Sequence, residues 1–133
     1  MIFFTDECFM YKANKLVEAF DRDNVIKPPL DHFSAGTPDV EWIPAVAAWT
    51  PKPTIVCGDG RILRNKVERQ VLKEAALTFI CLSKGRTNLE WSVFAWKIIK
   101  VWPTIVISAQ AIKPTVFEVS AATLKVEKSY QLS

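Results

Sequence analysis

The sequence predicts an α/β domain with a mainly parallel central sheet covered by helices and closed by a C-terminal β-hairpin. Three observations carry that expectation. Short apolar runs, Ile2–Thr5, Thr54–Cys57 and Thr78–Leu82, alternate with stretches of helical period, and strands apolar on both sides belong inside a parallel sheet. Acids stand where these segments end or begin: Asp6 closes the first run, Asp39 opens a helical pattern, and Asp59 follows Cys57-Gly58. The last stretch then changes period, because Thr115–Val119 and Thr123–Glu127 alternate apolar with polar around Ser120-Ala121-Ala122, as a hairpin with one wet face does.

After the first strand, Lys12–Phe20 places Leu16, Val17 and Phe20 on one helical face. Asp21 to Pro38 is polar and rich in proline, which predicts a long loop broken by a small strand around Val25-Ile26. Loops of that length in small domains are often functional. From Asp39, the spacings of Val40, Ile43 and Ala47 and of Trp42 and Trp49 are helical, with Thr37 or Asp39 as the expected cap. The strand at Thr54, a helix over Lys66–Ala76 and the strand at Thr78 follow. Leu89–Trp102 is helical and apolar on two sides: Trp91, Phe94, Ala95, Ile98 and Trp102 form one face, and Leu89, Val93 and Trp96 the other. A helix of this kind must be buried twice. The second face is therefore an expected interface with another protein or a second copy in a homodimer, the alternative being burial under the C-terminal segment. Trp102-Pro103 predicts a break, with the proline opening a further short helix through Ala111.

With 133 residues, 50% hydrophobic and 23% charged, the chain is long and apolar enough for a single domain, 1–133, with its own core. A net charge of +3 permits an anionic partner without announcing one. Cys8, Cys57 and Cys81 are odd in number, and the last two, inside apolar strand-like runs with no metal-type spacing between them, read as buried reduced thiols of a cytoplasmic protein. Cys8 stands near Asp6, whose charge disfavours a nucleophilic thiolate. The N-terminus lacks a basic start and long apolar core, so no signal peptide is expected. Lys97, Lys100 and Pro103 interrupt Trp91–Ala111, so no membrane association is expected either.

In a parallel sheet, the carboxyl ends of neighbouring strands share one edge, where a helix start can join them. Asp6, Asp39 and Asp59, separated by 33 and 20 residues, can converge there as metal-binding and catalytic acids. Carboxylates hold Mg2+ or Mn2+, which activates water and shields the charge of phosphodiester cleavage. Glu41 follows Asp39 by two positions, about 200° round a helix, so both cannot face the site without irregularity. Glu7 is a candidate if the chain turns inward beyond the strand. Arg61 and Arg64, immediately after Asp59, suit the phosphates of a substrate strand. The lone histidine, His32, lies in the long loop, and the four glycines form no phosphate-binding loop.

The order strand-Asp6, loop, Thr37-Pro38-Asp39-Val40-Glu41-Trp42, then strand-Gly58-Asp59-Gly60-Arg61-Ile62-Leu63-Arg64-Asn65 resembles the PIN-like domains of VapC-type toxins over nearly the whole chain. The resemblance implies a three-layer α/β/α PIN-like fold and a metal-dependent endoribonuclease, the toxin of a toxin-antitoxin pair. Its implied partners are an RNA substrate and a cognate antitoxin protein. Carried onto this sequence, it makes Asp6, Asp39 and Asp59 metal-binding acids, with Glu41 and Glu7 as weaker candidates. Active members typically carry a further acid shortly after the Asp59 position, where this chain has Gly60, Arg61 and Ile62. One alternative is therefore a PIN-like interaction module without catalysis. A more remote one is a receiver-like phosphoacceptor domain, loosely imitated by Asp6-Glu7, Asp59, Ser83 and Lys113-Pro114.

Overall fold

A computed structural model describes residues 1–58, 60–83 and 90–132. Its strands are β1 (Ile2–Thr5), β2 (Val25–Lys27), β3 (Thr54–Cys57), β4 (Phe79–Ser83), β5 (Val116–Ser120) and β6 (Val126–Tyr130). The helices are α1 (Tyr11–Phe20), α2 (Asp39–Ala47), α3 (Lys66–Ala75) and α4 (Trp91–Ser108). The six strands form one sheet in the order β2-β1-β3-β4-β5-β6, parallel throughout except for the antiparallel pair β5-β6.

Strand alternation separates the apolar residues into two cores. Phe3, Val56, Ile80 and Leu82 project to one face, where α1 and α4 cover them with Val17, Ile98 and Trp102. Phe4, Ile55, Cys57, Phe79 and Cys81 project to the other, covered by Ile43 and Val46 of α2 and Leu72 of α3. Helices on both faces of a mostly parallel sheet make the expected three-layer α/β/α arrangement, and the C-terminal hairpin is present.

Several local expectations change. Pro103 does not break the helix: α4 runs unbroken from Trp91 to Ser108. An interior proline costs roughly 3 kcal/mol. Val101, Trp102 and Ile105, which bracket it, are almost fully buried, and each such side chain contributes about 1.5–3 kcal/mol. Burial therefore outweighs the break. Neither Thr37 nor Asp39 caps α2. Its N-cap is Pro38, which makes no side-chain cap, while the Thr37 hydroxyl donates to Ser34 O. The segment read as a loop does carry the expected small strand, β2, and adds to it an unexpected 3-10 turn, Pro29–Asp31. The last strand starts three residues later than expected, at Val126. The tight turn after β5 has Ser120 Oγ accepting from the Ala122 and Thr123 amides and Leu124 at φ 61°, and it consumes the residues whose alternation suggested a strand.

Candidate functional site

β1 and β3 are adjacent and parallel, with Thr5 beside Val56, so their carboxyl ends open on the same edge. Asp6 is the first residue beyond β1, and its backbone N–H still donates to Val56 O at 3.1 Å. The chain then turns into a short 3-10 segment, Glu7–Phe9, for which Asp6 is the N-cap. Asp6 Oδ1 accepts from the amides of Phe9 and Gly58, each at 3.0 Å, and Oδ2 accepts from the Cys57 thiol at 2.7 Å. The carboxylate is thus fixed from both strands. Gly58 makes this possible, because a Cβ there would lie 2.6 Å from Cys8 O.

Desolvation by burial raises the Asp6 pKa above its ordinary value, and the charge of Asp39 adds to the rise. The hydrogen bonds from Cys57, Gly58 and Phe9 act in the opposite direction. Burial likewise pushes the Cys57 thiol well up, aided by its in-register neighbour Cys81 and by the Asp6 charge. Cys57 is thus a neutral hydrogen-bond donor, not a nucleophile. Cys57 and Cys81 are buried, and Cys8 is partly buried.

Asp39 enters the same edge as the first residue of α2, where a carboxylate also complements the helix dipole. Its Oδ1 accepts from the Trp42 indole at 2.7 Å, which ties the acid to a buried ring of the core. Glu7 Oε1 accepts from the Gly36 amide at 2.7 Å and so tethers the loop that leads into α2. Between these elements lies a cleft of about 690 Å³. Asp6, Glu7, Cys8, Asp39 and Cys57 line it, with Arg61, Arg64 and Glu68 toward α3 and Pro29, Phe33 and Trp42 on the loop and α2.

The structure therefore brings Asp6, Asp39, Arg61 and Arg64 to one cleft. Glu41 is exposed and lines no part of it, as the roughly 200° separation from Asp39 requires. Asp59 and Leu89 lie outside the described residues, as does the Ser83 side chain. Among the described residues, no group of three histidine, cysteine or acidic side chains converges as a metal site. Lys113 precedes β5 and lines a separate hollow with Leu72 and Leu132, at the opposite edge of the sheet from Asp6. That position removes the receiver-like reading, which needs the lysine beside the acids.

Sequence reasoning missed Cys57, Phe33 and Glu68 as cleft residues. Cys57 carries a usable signal, since the last residue of a central strand, level with the end of β1, must adjoin the acid there. Glu68 also had one: it stands three residues after Asn65, whose side chain caps α3 through the Glu68 amide. Phe33 had none beyond its place in a long loop.

The donor chemistry suits a hard divalent cation. An ionised carboxylate has about four lone-pair sites. Three hydrogen bonds to Asp6 leave one on Oδ2, and Asp39 Oδ2 lies beyond the indole bond. The charge of Asp39 acts against ionisation of Asp6, and a bound cation would relieve that repulsion.

Residues 1–84 match a family model described as a PIN like domain. Neither the curated proteins nor the solved structures give a match to this chain.

Proposed function

Because the chain belongs to the PIN-like domain family, a nuclease-type fold, we propose that it is a Mg2+- or Mn2+-dependent endoribonuclease, the toxin of a toxin-antitoxin pair. The observation that carries this reading is the meeting of Asp6 and Asp39 in one cleft with Arg61 and Arg64. Asp6 and Asp39 hold the cation, with Asp59 as the third acid assigned from sequence. When bound, the cation supplies an activated water and neutralises charge on the phosphodiester. Arg61 and Arg64 hold phosphate oxygens of the strand. The Cys57 thiol and the Phe9 and Gly58 amides keep the Asp6 carboxylate aimed into the cleft. Glu41, outside the cleft, has no part in this mechanism.

Titration of Mn2+ into the metal-free protein tests the site directly. Wild type is expected to bind, and Asp6→Asn and Asp39→Asn to bind at least tenfold more weakly, because each removes one charged oxygen ligand. Equal affinity in wild type and Asp6→Asn would sink the assignment.

A second reading rests on α4. Val93, Trp96, Ile99 and Ile107 are all substantially exposed, so this chain leaves the helix's second apolar face open. A PIN-like interaction module without catalysis would use that face alone. In the nuclease reading, the same face is where the antitoxin or a second copy docks, with Val93 and Trp96 as its centre and Leu89 assigned to it from sequence.

A further inference from the structure

The cleft that holds Asp6 and Asp39 has unlike walls. Toward α3 it is charged, with Arg61, Arg64 and Glu68, and on the loop side it is formed by Pro29, Phe33 and Trp42. Trp42 is 6% exposed and its indole N–H is committed to Asp39, whereas Phe33 is only partly buried. Phe33 is therefore the aromatic that can meet a ligand. We propose that Phe33 is a base-stacking platform, so that the cleft takes an unpaired nucleobase while Arg64 meets the adjoining phosphate. The proposal rests on the reading of this cleft as an RNA site.

The platform is fixed in place. The Phe33 amide donates to Pro29 O at 2.8 Å, and its ring stands nearly perpendicular to the fully buried Phe4, with centroids 5.9 Å apart. The rest of the loop is held by the Glu7–Gly36 hydrogen bond. A ring immobilised before binding loses little entropy on contact. Every base has a π face, but in a duplex both faces are covered by neighbouring pairs, so an aromatic wall selects unpaired nucleotides. The cleft volume of about 690 Å³ falls within the range of ordinary ligand sites.

The test measures binding of a short, mixed-sequence single-stranded RNA to the full chain in chelator, which prevents metal-dependent cleavage, by fluorescence anisotropy. Phe33→Leu keeps the packing against Phe4 but has no π face, and Phe33→Trp restores one. Phe33→Leu is expected to weaken binding roughly tenfold, within the 5- to 150-fold that base stacking usually contributes, and Phe33→Trp to bind like wild type. A series of the same RNA with one base removed at a time adds the cycle. At one position, loss of the base should weaken wild type by a similar factor and Phe33→Leu hardly at all. If RNA binds, Arg64→Ala weakens it and Phe33→Leu does not, stacking is wrong and the RNA reading stands. If no RNA binds to wild type, both fall.

Discussion

Asp6 is a carboxylate maintained against its own solvation. Its folded pKa is raised, first by burial, above the ordinary 3.8, so the folded protein binds this proton more tightly than the unfolded chain. The contribution of Asp6 to stability is therefore complete below the unfolded value and is lost as pH rises through the folded pKa. At neutral pH the ionised group is a liability, which a bound cation would offset. Asp6→Asn, whose side-chain oxygen still accepts from Phe9 and Gly58, should therefore be at least as stable as wild type at pH 7 without metal. Its advantage should shrink as pH is lowered past the usual carboxyl range, as followed by thermal unfolding. Asp6→Asn less stable than wild type at neutral pH would show that the charged form is favoured by the fold. Gly58 gives a second prediction at this scale. A methyl group there meets the main chain of Cys8 and Phe9, so Gly58→Ala should cost about 1–3 kcal/mol in denaturant unfolding and disturb the Asp6 bonds. Asp6 and Asp39 were legible as residues because both stand where an apolar pattern changes. Gly58 was not, because a close backbone approach leaves no trace in periodicity.

At the scale of elements, the strands and helices follow from period, and the errors fall where packing or turn chemistry overrides it. Pro103 is the clearest case: the same buried stripe, Phe94, Ile98, Val101, Trp102 and Ile105, continues across it, and Trp102 Nε1 donates to Asp21 at 2.7 Å. Burial works upward on Asp21. Hydrogen bonds from Asn24 and Trp102 and from the Asp23 and Asn24 backbone outweigh it and hold the carboxyl below its usual range. The two-sided character of α4 was also legible, but sequence alone did not decide whether the C-terminal segment covers the second face. It does not, since Trp96 is 53% exposed. Trp96→Glu should therefore change the stability of the isolated chain by no more than about 0.5 kcal/mol. It should also dissociate a homodimer or antitoxin complex, as read by light scattering. Unchanged mass in both settings would remove α4 from the interface.

Across the whole molecule, topology turns separated acids into a site. β1 and β3 are neighbours, α2 begins at their shared edge, and 33 residues of sequence collapse into one cleft. Parallel order made that convergence an expectation, whereas the cleft's aromatic wall depends on how the β2–α2 loop folds back over Phe4. Among the described residues, no helix is long and apolar enough to cross a membrane. The most direct measurement is cleavage of a mixed pool of structured RNAs by the purified protein with Mn2+ or Mg2+, beside Asp6→Asn and Asp59→Asn prepared identically. A metal-dependent nuclease predicts cleavage by wild type that chelator abolishes and that either substitution reduces at least a hundredfold. Equal cleavage by wild type and both variants, or cleavage that persists in chelator, would contradict it.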